Sequence, residues 1–255
     1  MTVNLLVRGM LAGLFAGLIA FGFAHTFGEP QIERAIAFEE LMAAEQPMGD
    51  EAGVVEAEEP APVSRETQAG IGLFTAIALY AVAMGGIFSI VFTGLYGRVG
   101  NISPRALSLM LGLAAFIALV LVPDLKYPPN PPAVGDPETI GPRTGLFFIT
   151  MIVSIIAMYL AVVLWQRLLP ALGRWNAAIA ALVAYILVLA VVLGLLPTIN
   201  EVPENFPALS LYQFRLATVG MQLTIWTTIA LAFGYLAEKT LVSSGHYRGG
   251  ARVPA

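Results

Sequence analysis

The chain has 255 residues, 58% of them hydrophobic and 12% charged, with a formal charge of −4 and no cysteine. Soluble domains carry about 25% charged residues, so this composition points to lipid as the solvent for much of the chain. The missing thiols exclude disulfides, thiolate metal sites, iron–sulfur clusters and cysteine nucleophiles.

Six apolar runs are long enough to cross a bilayer, which takes roughly 17–25 residues. They lie near 9–27, 69–95, 106–122, 145–165, 177–196 and 216–237, and none contains Lys, Arg, Asp or Glu. All are expected to be helices, because an open strand in lipid leaves its backbone polar groups unpaired. The first run follows Arg8 and has no clean small-x-small cleavage site after it, so it reads as a retained helix and not as a signal peptide. Gly9, Gly13 and Gly17 recur at four-residue spacing within it. Such a ridge lets another helix approach closely, and a glycine-lined path is the sharper alternative.

The first connection, about 28–68, divides in two. Residues 28–42 have helical periodicity with Pro30 in a first turn. Ile32, Ala35, Ile36 and Leu41 fall on one side and Glu29, Glu33 and Glu40 on the other, as in a short helix at the membrane surface. Residues 45–64 carry Glu45, Asp50, Glu51, Glu56, Glu58 and Glu59 among Gly, Pro and Ala. That is an acidic tether by composition, able to concentrate cations by attraction.

The next two such connections share a motif. Residues 127–133 read Tyr-Pro-Pro-Asn-Pro-Pro-Ala and residues 202–208 read Val-Pro-Glu-Asn-Phe-Pro-Ala. Proline fixes φ and biases the residue before it toward extended backbone, so both loops are expected to be stiff. Asn130 and Asn205 occupy equivalent places, where an asparagine closes a turn through its own side chain or lends a carbonyl to an ion entrance. Asp124, Asp136, Glu138, Glu201 and Glu204 lie nearby. Pro123 and Pro197 end the incoming helices in this reading, and Arg143 and Arg215 open the outgoing ones. Arg65 stands in the same relation to the second run. The fold expected is therefore an all-α integral membrane protein of six transmembrane helices, arranged as three parallel-repeated helical hairpins with structured outer loops. It forms one transmembrane domain over 1–255.

Charge sets the orientation. Arg8, Arg98, Arg105, Arg167, Arg174, Lys239, Arg248 and Arg252 fall on one side, opposed there by Glu238 alone. The bias of cytoplasmic loops toward Lys and Arg makes that side the interior. Both termini, including the tail 238–255, are then cytoplasmic, and the acidic loop 28–68 is outside. Arg65, Arg143 and Arg215 run against the bias. They snorkel or pair with an acid, or they set the field of an outward vestibule.

The chain has no phosphate-binding glycine loop, no His-Glu-x-x-His and no nucleophile elbow, so an enzyme is not expected. Nor is a nucleic-acid partner. His25, Glu29 and Glu33 would share a face of a continuous helix, a nitrogen–oxygen set suited to a divalent metal; a lone interfacial histidine also serves as a polar anchor. His246 lies in the tail. Within the spans Gln222 is the foremost polar group, and no carboxylate sits at a membrane centre as an acidic proton relay requires.

Three stretches carry a resemblance: Phe-Gly-Glu-Pro-Gln-Ile-Glu-Arg-Ala-Ile-Ala-Phe-Glu-Glu at 27–40, the segment 125–144 around Tyr-Pro-Pro-Asn-Pro-Pro-Ala, and Asn-Glu-Val-Pro-Glu-Asn-Phe-Pro-Ala at 200–208. They resemble the CbtA family, described as the larger membrane subunit of a predicted cobalt transporter. The resemblance spans nearly the whole chain outside 45–62. It implies Co²⁺ as the transported ion, a link to cobalamin biosynthesis, no permanently bound cofactor and a prokaryotic cytoplasmic membrane. It also implies a small, single-span, histidine-bearing partner of the CbtB type, in a homo- or hetero-oligomer. Family members often carry histidines in the first outer loop, and here that stretch is acidic. Co²⁺ accepts imidazole and carboxylate ligands, so the partner's histidines would complete a site with Glu29 or Glu33. The other reading is a non-transporting scaffold or accessory subunit of a larger membrane complex.

Overall fold

The computed structural model describes residues 2–45 and 63–247. Every regular element within them is helical. Five helices are long and apolar enough to cross a membrane: α1 (Thr2–Ala44), α2 (Arg65–Leu95), α3 (Pro104–Lys126), α4 (Pro137–Leu195) and α5 (Ala208–Ser243). Their exposed side chains are largely apolar, among them Phe15, Ile87, Leu113, Ile156, Leu160, Leu182, Ile186 and Leu231. Lipid is the solvent in which such surfaces are stable, and the chain is a membrane protein. The acidic tether (Asp50, Glu51, Glu56, Glu58 and Glu59) and Arg248 and Arg252 lie outside the described residues.

The chain divides into two compact units, one drawn from Met1–Leu113, Pro131–Ala133 and Pro207–Ala255, the other from Ala114–Asn130 and Val134–Phe206. The boundary falls within α3.

In the first unit the glycine ridge is a packing surface. A Cβ on Gly13 would overlap the carbonyl of Ala81, one on Gly9 the carbonyl of Gly85, and one on Gly17 would lie 3.0 Å from the Cα of Ala78. Rising numbers on α1 meet falling numbers on α2, so the two helices run antiparallel with their backbones touching. The start of α3 packs on the end of α5 in the same sense. A Cβ on Gly112 would come within 2.5 Å of Ala230 Cβ, and one on Gly234 within 3.0 Å of Ser108 Cβ. Ser108 Oγ donates to the Ala230 carbonyl at 2.7 Å. Phe88 and Phe92 of α2 meet Phe233 of α5 edge-on, at 5.5 and 5.0 Å between ring centres.

In the second unit α4 is two helices joined across a kink at Gly173, whose φ of 71° and ψ of 172° are non-helical. A positive φ is accessible to glycine without a Cβ clash, and Pro170 stands just ahead of the break. The arms fold back on each other. Ser154 and Tyr185 share a hydrogen bond of 3.0 Å, and Ala157 packs with Tyr185, Leu189 and Val122.

Several boundaries differ from those the sequence suggested. The first span and the surface helix of 28–42 are one helix, with a π turn at Ala24–Gly28. Pro123 does not end its helix, which runs on to Lys126 through another π turn, Ile117–Leu121. Each of these wide turns stops two residues before a proline, Pro30 or Pro123. Proline lacks an N–H and its ring crowds the carbonyl four residues back. A π turn displaces that carbonyl, so the helix continues. Arg143 and Arg215 do not open helices either. Those helices begin at Pro137 and Ala208, placing both arginines nearly two turns inside.

Candidate functional site

The π turn of α1 decides which way Glu29 points. Ala20 and Ala24 are buried at four-residue spacing, and a regular helix would bring Gly28 to the same face next. The wider turn brings Glu29 there, 6% exposed. Glu29 was expected to face away with Glu33 and Glu40; the extra residue in the turn reverses this. The Arg65 guanidinium meets its carboxylate in an ion pair. Arg65 is held there because Ser64 caps α2, its Oγ accepting from the Thr67 N–H at 3.3 Å. Arg65 is the sole partner of Glu29 among the described residues, and its own Nε is buried without a partner. Nearby, Arg34 donates to Gln31 Oε1 at 3.0 Å and to Gln213 Oε1 at 2.8 Å.

His25 and Glu33 do not join Glu29. Both are exposed, and the His25 ring lies 5.7 Å from that of Phe21. Equal spacing puts three residues on one face only in an uninterrupted α-helix, and the π turn lies between His25 and Glu29. Among the described residues no group of three or more His, Cys, Asp or Glu is placed to hold a metal ion.

A second buried carboxylate anchors the other unit. The Glu201 side chain is 3% exposed and pairs with Arg143 at 2.6 Å. It also accepts from Thr139 Oγ1 and from Asn130 Nδ2, the latter at 3.5 Å. Asp136 starts the adjoining helix, its carboxylate accepting from the Glu138 N–H at 2.9 Å. That cap sets the register of Thr139 and Arg143, one turn apart on the face that meets Glu201. Tyr127 Oη donates to the Pro197 carbonyl at 2.7 Å, and Lys126 Nζ to Thr198 Oγ1 at 3.1 Å. Burial raises the Tyr127 pKa above the usual phenol value, which keeps the proton it donates.

Asn130, Arg143 and Glu201 were all singled out from sequence, and the structure brings them together. Glu204 and Asn205 are exposed and stay apart. Asp124 and Arg215 are half-buried, and Gln222 Oε1 accepts from Tyr80 at 3.4 Å. Thr139, Gln31 and Arg34 were not foreseen; the three-residue spacing of Gln31 and Arg34 on a helix was the available signal. The two motif copies differ in backbone. In the second, the turn falls at 204–206 and α5 starts at Ala208. In the first, the turn falls at 132–134 and Ala133 takes a left-handed φ of 64°.

The two clusters have different chemical capacities. An ionised carboxylate offers about four lone-pair positions. Glu201 has three donors aimed at it, and Glu29 has one. Glu29 is therefore the buried acid with coordination to spare.

No curated protein and no solved structure matches the chain. A family model does match, over residues 2–238, and by it the protein belongs to the CbtA family, the probable cobalt transporter subunit.

Proposed function

We propose that the protein is the membrane subunit of a divalent-cation transporter whose cargo is Co²⁺. The chain crosses the membrane six times, with each arm of α4 as one crossing, in three hairpins with both termini in the cytoplasm. Cations gather at the acidic outer loops, and Arg65, Arg143 and Arg215 shape the field at the entrance. Glu29 is the first fixed carboxylate they meet, with Glu33 and His25 on the same helix. The observation that carries this reading is Glu29 itself, buried and held by one arginine. An incoming cation replaces the guanidinium as its counter-charge, and Arg65 swings toward solvent.

One helix-borne carboxylate is too small a coordination shell. The remaining ligands come from a histidine-bearing, single-span partner of the CbtB type, within a system that supplies cobalt for cobalamin synthesis. Gln222 contributes a polar stop within the bundle. A second reading, a scaffold that holds a larger complex together, is favoured by the lack of a three-ligand group among the described residues.

Radiolabelled Co²⁺ uptake in a metal-starved host separates the two. The chain is expressed alone, with the partner, and not at all, with its membrane abundance verified. Uptake that requires both chains is expected; no uptake in any combination favours the scaffold.

A further inference from the structure

The opposite end of α5 carries a second charged constellation. The start of α3 and the last turns of α5 border an open cavity of about 430 Å³ lined by Arg105, Tyr235, Glu238, Lys239, Val242 and Ser243. Arg105 Nε lies 2.6 Å from a Glu238 carboxylate oxygen in an ion pair, and the guanidinium lies 5.4 Å from the centre of the Tyr235 ring. The carboxylate and the ring flank the guanidinium. Its two Nη groups have no partner among the described residues, and the side chain is 57% exposed. Lys239 is exposed beside it and also unpartnered there. Two cations face one acid, and the unused donors belong to the cations.

The rest of the lining is apolar. Tyr235 is 52% exposed and Val242 49%. Leu231 lies one turn before Tyr235 on α5, Leu109 one turn after Arg105 on α3, and both are exposed. An apolar strip thus leads from the cationic donors along both spans. A soluble anion would use only the donors, whereas a phospholipid would use donors and strip together.

We infer that this cavity binds the phosphodiester headgroup of an anionic phospholipid. The Arg105 fork and the Lys239 ammonium take the phosphate oxygens, and the first methylenes of the acyl chains lie along Tyr235, Leu231 and Leu109. Charge-assisted bonds from guanidinium to phosphate are directional, and basic pockets at helix ends recur as lipid headgroup sites. Glu238 holds the guanidinium beside the cavity, and the two cations outweigh its single charge, so a lipid with net negative charge is preferred. The site is independent of which ion is carried.

Native mass spectrometry of the full-length protein, with phosphatidylglycerol or phosphatidylcholine in the detergent micelle, tests the assignment. Phosphatidylglycerol adducts are expected to outlast phosphatidylcholine adducts. Lys239→Gln should weaken phosphatidylglycerol retention about fivefold, as expected for one cation near an anionic headgroup, and Lys239→Arg should restore it. Arg105→Gln should weaken it at least as much; should that variant misfold, Lys239→Gln decides alone, because Lys239 makes no contact the fold needs. Equal retention of both lipids, or unchanged retention in Lys239→Gln, would overturn the proposal. Displacement of the lipid by excess inorganic phosphate would overturn its assignment to a lipid.

Discussion

Glu29 and Glu201 are the same residue type in the same situation, a buried carboxylate paired with an arginine, yet they are built differently. Glu201 sits on a loop and gathers Arg143, Thr139 and Asn130. Glu29 sits on a helix and reaches its single partner Arg65 through a π turn. The contrast teaches that burial and pairing alone do not mark a ligand. A carboxylate with most of its lone pairs taken by donors is a structural pin. One with unused lone pairs, against an arginine that itself lacks a full set of partners, has room for a further partner.

The largest effect is expected at the pin. Glu201→Ala leaves Arg143, 26% exposed, and two polar side chains facing an apolar methyl. Losing one partner of a buried ion pair costs about 3–5 kcal/mol, and a large fall in the thermal midpoint of the detergent-purified protein should report it. Glu29→Ala should cost less, about 1–3 kcal/mol, because Arg65 is 37% exposed and water can reach it. Reversal of that order in the same melting experiment would break the comparison.

Deleting Thr26, an exposed residue of the π turn, together with Pro30→Ala, sharpens it, because the substitution removes the ring that a regular turn would bring against the carbonyl four residues back. Removal of one residue converts the wide turn to a regular one and leaves Glu29 four places after Ala24, still on the buried face. Stability should change by no more than about 1 kcal/mol; a loss as large as that of Glu29→Ala would show that the turn does more than set the phase. The smallest effect belongs to Arg34→Ala, which removes the bridge to Gln213, an exposed contact. A change below about 1 kcal/mol is expected, with cobalt uptake retained in whole cells.

Much of this was legible in the residues. The apolar runs announced the helices, and the glycine spacing of α1 announced the surface against which α2 packs. The arginines that break the charge bias pointed to acids, and Arg65 and Arg143 each found one. What was hidden follows from backbone detail that periodicity does not encode. A π turn needs no signature residue, so the reversal of Glu29 and the fusion of the first span with the helix after it were invisible. Proline was read as a stop at Pro123, although a wide turn just before it lets the helix pass. The repeated Pro-x-Asn-x-Pro-Ala motif suggested equal loops. Sequence identity at four positions did not impose equal conformations, because the residues that follow differ. Pro207 leads directly into a helix, whereas Val134 and Gly135 delay the next one until the Asp136 cap.

The central claim is that Glu29, and not Glu201, meets the transported cation. Co²⁺ flux into liposomes holding the chain and its histidine-bearing partner tests it most directly, with wild type compared with Glu29→Gln. Glutamine keeps an acceptor for Arg65 and removes the charge, so the protein should stay folded while flux falls at least several-fold. Flux in Glu29→Gln equal to wild type, or no flux above empty liposomes with either protein, would contradict the account.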